Sequence, residues 1–297
     1  MSTLTIINNK SYGHLEIIES LINKYSEIIG CELPPPLRIF LLLKDDVDPS
    51  FRNYIHTKYP KIKFGVPSEM DYTIHTNFYP KPDKIKYLNS DKVNPKKNFY
   101  ICHRVFNSRE QYPNVFFLTP LAVSNVISAH ILPFNDEKKI ITDVPIYVIQ
   151  GNFSITRRDY SLLKLILEHT YEYDYKIKLV GRGDIPDIAL SFPEKFIICQ
   201  NKNFVNYHQQ FQDCYCIMTS ITRRNNKKYY RTALTSTINY ALGYNLKCLI
   251  DTQLQNIYHL PNVQVYNKPR DIVQAFEKSL QYFYSKKEER CEKQQLS

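Results

Sequence analysis

The sequence predicts an α/β protein built from two Rossmann-like domains. In both halves of its 297 residues, short apolar runs typical of buried strands alternate with helix-length amphipathic segments. A polar, turn-rich linker at 131–143 separates the two halves. We therefore expect an N-terminal domain over 1–140, a C-terminal domain over 141–275, and a closing helix with a polar tail over 276–297.

The first half contains strand-like runs joined by two kinds of connection, helices and polar loops. The predicted strands are 3–8, 37–43, 61–64, 71–76, 98–102 and 115–118, and the predicted helices are 15–29, 49–59 and 119–128. The run 37–43 is continuously apolar, which is typical of a strand buried on both faces. Prolines and lysines over 79–98 indicate a surface loop.

The second half continues the alternation without a break. The predicted strands are 146–149, 176–180, 196–199, 215–221, 246–250 and 263–266, and the predicted helices begin near Leu162 and span 204–214, 229–244 and 271–287. Strands that alternate with helices in this way favour a parallel, doubly wound sheet.

Composition limits the compartment and the partners. No apolar run is long enough to span a membrane, no secretory leader is visible, and the seven cysteines are irregularly spaced, so we expect a cytoplasmic protein in a reduced compartment. The net charge of +10 is compatible with nucleic acid, an acidic membrane surface or phosphorylated ligands. Abundant Lys, Asn, Ile and Tyr without Trp also indicate an AT-rich genome, such as that of a large DNA virus or a protist; for a virus, the location is the host cytoplasm.

The segment 145–185 concentrates the features of an anion site. Gly151, Gly181 and Gly183 follow two of the predicted strands, although the whole chain has only seven glycines. A βαβ unit brings both strand ends to one edge of the sheet, beside the start of the intervening helix. An arginine pair, Arg157 and Arg158, lies where that helix is expected to begin. Helix N-termini and arginines both favour phosphate.

This pattern resembles the donor-binding domain of GT-B glycosyltransferases, especially the retaining enzymes of groups 1 and 4. That family carries Gly-Arg, a short gap and a basic pair at the first helix, and here Asn152 replaces the first basic residue. The family's next strand ends in Gly-x-Gly, matched by 181–183, and the order of elements over 196–220 is also similar. The resemblance covers about 145–275 and rests on order and spacing.

The resemblance implies two domains facing across a cleft and transfer of a sugar from a nucleotide-diphosphate sugar, with UDP or GDP as the nucleotide, to a glycan, protein or lipid acceptor. Arg157 and Arg158 would be catalytic, because they would stabilise the departing diphosphate without a metal or another cofactor. The residues expected to bind the donor are Gly151, Asn152, Gly181, Arg182, Gly183, Tyr229, Tyr230, Thr235 and Ser236.

One family feature is missing. The family often has two glutamates eight residues apart, one of which holds the donor ribose, and this chain has Thr232 and Tyr240 in their places. Hydroxyl and amide side chains near 235–239 are the candidate replacements.

Histidines near strand ends are candidates on the acceptor side. His103 is the expected catalytic histidine, since it follows a strand and can orient or deprotonate an acceptor hydroxyl. His75, together with Gly13 and His14 in the first βα turn, is expected to line the acceptor side. Asp46 and Asp48 form a short DxD pattern of the type that binds metals in other transferases, but it comes too early in the chain, so no metal site is predicted.

Two other functions stay open. The missing glutamates and the charge fit a nucleic-acid-binding or interaction protein on a degenerate scaffold, although nucleic acid is not the expected partner. A sugar-nucleotide epimerase shares the fold and acts without an acceptor.

Overall fold

The structure is a computed structural model that describes residues 2–9, 15–31, 33, 36–78, 94–105, 112–122, 124–134, 137 and 139–295. The chain divides into two compact units. The first comprises 1–133 and two short segments from the second half, 203–205 and 231–235. The rest of the chain, from 134 onward, forms the second.

The first unit contains a six-stranded parallel sheet in the order β3-β2-β1-β4-β5-β6. Its strands are β1 (Ser2–Asn8), β2 (Leu37–Leu43), β3 (Lys63–Phe64), β4 (Tyr72–Phe78), β5 (Asn98–Cys102) and β6 (Val115–Phe117), and its helices are α1 (Ile18–Ile29) and α2 (Pro49–Lys58). The order reverses between β1 and β4, as in Rossmann folds.

The helices of this unit cover the sheet with apolar side chains at helical spacing. Ile18, Leu21 and Ile22 of α1 are buried, as are Phe51 and Ile55 of α2. The buried carboxylate of Glu19 on α1 also forms hydrogen bonds and an ion pair with residues in and directly after α2. Its oxygens accept hydrogen bonds from the hydroxyls of Tyr54 and Tyr59, each at 2.9 Å, and its Oε1 lies 2.8 Å from the Lys58 ammonium.

The second unit repeats the same topology, with the strand order β12-β11-β10-β7-β8-β9 and parallel pairing throughout. Its strands are β7 (Ile146–Asn152), β8 (Lys176–Arg182), β9 (Phe196–Gln200), β10 (Cys216–Met218), β11 (Lys247–Asp251) and β12 (Val263–Tyr266). The helices are α3 (Ser161–Thr170), α4 (Asp187–Ser191), α5 (Phe204–Gln209), α6 (Ser236–Gly243), α7 (Thr252–Tyr258) and α8 (Ile272–Gln295).

The core of the second unit lies between β7, β8, α3 and α8. Buried Ile149, Leu163 and Ile166 pack in one cluster with Phe276 and Leu280 of the closing helix. This packing explains the predicted amphipathic patterns of both helices. Within the described residues, no helix is long and apolar enough to cross a membrane.

Two predicted helices are wrong. The described residues 119–122 and 124–128 are not helical, because Asn125 adopts a φ of 52° and its amide donates to the main-chain oxygens of Tyr112 and Val115. The predicted helix 229–244 is also interrupted. Its first residues end a 3-10 turn, Ala233 pairs with Arg104 as an antiparallel bridge, and α6 begins only at Ser236. Strand β2, expected to be buried on both faces, is partly exposed along most of its length.

Candidate functional site

The candidate site lies where the strand order of the second sheet reverses, between β7 and β10. In open α/β sheets, ligands bind outside the carboxyl ends of the strands at this point. The chain leaves β7 at Asn152 and leaves β10 at Met218. The loops that follow and the start of α6 therefore surround the expected binding position.

The turn after β7 has a defined backbone. Gly151 has a φ of 106°, a conformation that L side chains rarely adopt. The Asn152 side chain accepts a hydrogen bond from the Ser154 amide at 2.8 Å, and the Phe153 amide donates to the Arg182 oxygen at 2.9 Å. Asn152, which replaces a basic residue of the family pattern, therefore shapes the turn through its side-chain oxygen.

The two arginines of this turn occupy different environments. Arg157 is exposed, and its Nη1 lies 3.5 Å from the Tyr229 hydroxyl. Arg158 is only 5% exposed, and its Nη2 donates to the main-chain oxygen of Gln150. The Arg158 Nε is buried without a hydrogen-bond partner, and no carboxylate in the described part of the chain forms an ion pair with this guanidinium.

Burial lowers the pKa of Arg158, but an arginine starts from so high a value that it keeps its charge at neutral pH. The site therefore holds a buried positive charge that is hydrogen-bonded to a carbonyl and lacks a counter-ion within the described residues. The Arg158 Nη1 also donates to the main-chain oxygen of Arg157 at 3.4 Å.

The sequence pattern predicts that the helix begins at Arg157 and Arg158, but in the structure both arginines precede the helix. Helix α3 begins at Ser161, after both of them. Asp159 accepts hydrogen bonds from the Ser161 amide at 3.3 Å and from its hydroxyl at 2.5 Å. The N-terminus of α3 thus already has a carboxylate beside it, which leaves the two arginines as the better candidates for binding an anion.

A second loop is fastened to the first, and together they form the basic loop pair, residues 152–159 and 222–230. The buried Asn226 amide donates to the main-chain oxygens of Thr156 at 3.0 Å and Arg157 at 3.2 Å. The Thr222 hydroxyl donates to Asp159 at 2.8 Å. These bonds hold the Arg157 backbone in place while its side chain stays exposed.

Gln150 is a site residue that the sequence analysis missed. It is buried, and its amide donates to the hydroxyls of Ser236 at 2.8 Å and Thr237 at 3.3 Å, while its oxygen accepts from Tyr207 at 3.0 Å. It therefore connects β7 with the start of α6 and with α5. The sequence feature that could have indicated Gln150 is its position as a polar residue between the apolar run 146–149 and Gly151.

The two glycines at the carboxyl end of β8 are explained by local backbone structure and packing. Gly181 pairs in register with Gly151, and a Cβ added at 181 would lie 1.7 Å from the Gly151 oxygen. Gly183 has a φ of 99° and accepts a hydrogen bond from Gln200 at 2.5 Å. Gly181 is therefore required for the approach of two strands, whether or not a ligand binds. Arg182, between the two glycines, is exposed.

The other residues predicted to bind the donor differ in exposure and in hydrogen-bond partners. Tyr229 is partly exposed near Arg157, whereas the Tyr230 hydroxyl is engaged by Asp251 at 2.8 Å and by the Ile221 oxygen at 3.1 Å. Ser236 bonds to Gln150, and Thr235 is buried in the first unit.

Neither residue in the place of a family glutamate supplies an equivalent group. Tyr240 is buried, with its ring stacked on His208 at 5.7 Å and 4.9 Å from the ring of Phe211. The main-chain oxygen of Thr232 accepts from Val105.

The acceptor-side candidates lie in the first unit. His75 is on β4, with its ring stacked on Tyr100 at 4.8 Å, and burial lowers its pKa to about 4, which makes it a weak base at neutral pH. His103 follows β5, and its main-chain oxygen accepts from the Leu234 amide at 3.1 Å. Gly13 and His14 lie outside the described residues.

The DxD pattern has a local structural role. Asp48 is the N-cap of α2 and accepts from the Ser50 amide at 2.8 Å, while its other oxygen accepts from the Phe204 amide at 2.6 Å. Across the described ranges, no group of three or more His, Cys, Asp or Glu side chains is arranged to hold a metal.

Comparison with known proteins gives the fold. No protein-family model matches the sequence, and no curated protein matches it either. A glycosyltransferase from Rickettsia africae ESF-5 superposes with a TM-score of 0.51 and 11% identity, over 95% of this chain and 89% of the other. The glycosyltransferase AviGT4, involved in avilamycin A biosynthesis, gives a TM-score of 0.56 at 10% identity, over 93% and 88%.

A UDP-GlcNAc 2-epimerase from Methanocaldococcus jannaschii, solved with UDP-GlcNAc and UDP, is less similar, with a TM-score of 0.45 and 12% identity over 94% and 92%. A similarity this weak indicates nothing about the reaction. The expected fold class, α/β with two Rossmann-like domains of the GT-B type, is confirmed.

Proposed function

We propose that this chain, which has the GT-B fold, transfers a sugar from a nucleoside-diphosphate sugar to an acceptor hydroxyl. The observation that carries the proposal is the buried Arg158 guanidinium at the point where the second sheet reverses its strand order. A buried charge without a counter-ion is unfavourable, and a bound diphosphate would supply the missing negative charge.

The exposed Arg157 would complete the diphosphate site. Its backbone is fixed by Asn226, and the contact of its side chain within the described residues is a long one, 3.5 Å, to the Tyr229 hydroxyl. The guanidinium can therefore turn toward a ligand and bind two phosphate oxygens at once. Arg158 would act from beneath the turn, where the missing Cβ of Gly151 leaves room for its guanidinium.

In the proposed reaction, the bond between the anomeric carbon and the diphosphate oxygen breaks, and a glycosidic bond forms to the acceptor oxygen. The nucleoside diphosphate leaves, and the hydroxyl proton passes to a base. Negative charge grows on the departing oxygen, where the two arginines stabilise it. Since guanidinium groups supply the positive charge, the proposal includes transfer without a bound metal.

His103, which follows β5, is the proposed base or orienting group, and the pKa of about 4 argues against His75 as a base at neutral pH. The acceptor is a glycan, a protein or a lipid, and the family resemblance favours retention of the anomeric configuration. The proposed location is the cytoplasm.

Calorimetry with UDP, GDP, ADP, CDP and pyrophosphate tests the diphosphate site. We expect at least one nucleotide to bind, and at 100 times its Kd to stabilise the fold by about 2.7 kcal/mol. Arg157→Gln should weaken this binding at least tenfold. Arg270→Gln is the matched control, since Arg270 is also exposed in the second unit and should leave binding unchanged.

The proposal is wrong if none of these compounds binds or if Arg157→Gln binds the best nucleotide as tightly as the wild-type protein does. Once a nucleotide is identified, its sugar conjugates can be incubated with and without acceptors. Conversion of the sugar in the absence of any acceptor would indicate the epimerase instead.

A further inference from the structure

We infer that the outer edge of the basic loop pair is a docking surface for an anionic lipid bilayer. Four exposed side chains define this edge: Ile155, Arg223, Arg224 and Lys227. Ile155 is 76% exposed, the largest exposed fraction among the exposed large hydrophobic residues of the described chain. The inference goes beyond the proposed sugar transfer and does not depend on it.

Positive charge is concentrated in the loop pair. The segments 152–159 and 222–230 contain six basic residues and a single acidic one, Asp159, so they carry half of the chain's net charge of +10. Asp159 is already engaged by Ser161 and Thr222. Arg223, Arg224 and Lys227 form no ion pair within the described ranges.

The loops present these charges on a fixed frame. Asn226 donates to the backbone of the facing loop, the Thr222 hydroxyl donates to Asp159, and the Thr222 amide donates to the Asn225 side-chain oxygen at 2.9 Å. The basic side chains therefore project from a braced turn. Basic residues held close to an anionic surface each add to binding, and the attraction is lost beyond a Debye length.

The apolar residue at the edge favours a bilayer over nucleic acid. An aliphatic side chain such as that of Ile155 gains free energy when it enters the interfacial region of a bilayer, but it offers no flat face for stacking on a base. Tyr229 is the aromatic residue beside the edge. Its hydroxyl faces Arg157, and the Lys228 ammonium lies 4.9 Å above its ring.

The membrane-facing side chains are different from the two arginines that are proposed to bind the donor diphosphate. Arg158 is buried, and the membrane-facing set does not include Arg157. Docking through this edge would hold the second unit against the membrane surface, close to an acceptor that is in the membrane or near it. The chemistry recognised is the phosphate-rich, negatively charged headgroup layer.

Co-sedimentation with vesicles tests the inference on the full chain. Wild-type protein should pellet with phosphatidylcholine vesicles that contain about a third phosphatidylglycerol, should not pellet with pure phosphatidylcholine, and should be released by high salt. The triple variant Arg223→Gln, Arg224→Gln, Lys227→Gln should bind about 100-fold more weakly, at about fivefold for each charge. Ile155→Ser should weaken binding severalfold with the charge unchanged.

A control with the same loss of charge separates this edge from the net charge of the protein. Lys268, Arg270 and Lys278 are exposed residues of the second unit, and their triple change to Gln should alter vesicle binding by less than twofold. Circular dichroism and thermal unfolding show whether each variant is folded.

Three results would overturn the inference. The first is no binding of the wild-type protein to anionic vesicles, and the second is an equal loss of binding in both triple variants. The third is tight binding of a 20-nucleotide single strand, abolished by the edge variant, without vesicle binding; this would assign the edge to nucleic acid.

Discussion

The guanidinium of Arg158 donates a hydrogen bond to the main-chain oxygen of Gln150, eight residues earlier in the chain. This bond places a buried cation directly under the end of β7, where a Cβ added at Gly151 would lie 3.1 Å from the Arg158 Nη2. The Gln150 side chain, in turn, is fixed by Ser236 and Tyr207. One strand end therefore connects the turn, the buried charge and α6.

The first prediction concerns the cost of this charge. Arg158→Met should leave the free energy of unfolding unchanged or raise it by up to about 2 kcal/mol, because it replaces an unpaired buried charge by a hydrophobic side chain of similar length. The same change should abolish the stabilisation that a nucleoside diphosphate gives to the wild-type protein. Urea denaturation with and without the nucleotide measures both effects.

Arg158→Lys is the matched control, since it keeps the charge but not the planar donor group. It should retain part of the nucleotide effect. A loss of about 3 kcal/mol or more in nucleotide-free Arg158→Met would show instead that the guanidinium is a structural group.

The second prediction compares two glycines at the carboxyl end of β8, Gly181 and Gly183. Gly181→Ala should destabilise the fold by about 3 kcal/mol or prevent folding, because the new methyl group would collide with the Gly151 backbone, which cannot move aside without breaking the sheet. Gly183→Ala should cost about 1 kcal/mol, from its left-handed φ alone. Thermal unfolding of the two variants should therefore rank Gly181→Ala well below Gly183→Ala, and the reverse order would contradict the close approach of β7 and β8.

The third prediction concerns a buried ion pair on β8. Lys178 is 3% exposed, and its ammonium lies 2.5 and 2.7 Å from the two oxygens of Asp213, whose side chain is 27% exposed. Asp213→Ala should cost about 3 kcal/mol, because it leaves an ammonium buried without its partner. Lys178→Met should cost about 1 kcal/mol or less, since water can reach the remaining carboxylate. Equal losses in the two denaturation curves would show that the pair is not asymmetrically buried.

The fourth prediction is a pH dependence that originates at His75. Burial lowers the pKa of the folded-state imidazole to about 4, whereas the unfolded chain takes up the proton near 6.5. Between these values the unfolded state binds more protons, so stability is highest above about pH 6.5 and falls by about 3 kcal/mol as the pH drops toward 4. His75→Phe keeps a ring against Tyr100 but removes the titration.

Urea denaturation at pH 7 and pH 4.5 checks this prediction. The difference in stability between the two pH values should be smaller in His75→Phe than in the wild-type protein. An unchanged difference would show that His75 is protonated as easily in the folded state as in the unfolded chain. Other carboxyl and histidine groups affect both proteins equally and cancel in the comparison.

The alternation of strands and helices was predictable because burial imposes it locally. An apolar run such as 146–149 forms a buried strand, and the spacing of Leu162, Leu163 and Ile166 buries one face of a helix. The glycines and arginines of 151–158 were also visible, since few residue types tolerate such turns or carry permanent charge. The two wrong helices occurred where side-chain bonds or a bridge compete with helix formation, at Asn125 and Ala233.

The sequence by itself determined the fold class and the position of the glycine- and arginine-containing turn proposed to bind the donor, because hydrophobic periodicity and glycine placement act over a few residues. Only the tertiary structure decided the separate roles of the arginines. Arg157 is exposed and Arg158 is buried against Gln150, although the two are adjacent in the chain. Burial, unlike periodicity, depends on residues that are distant in sequence, and this is why Gln150, Asn226 and the packing role of Gly181 emerged only in the fold.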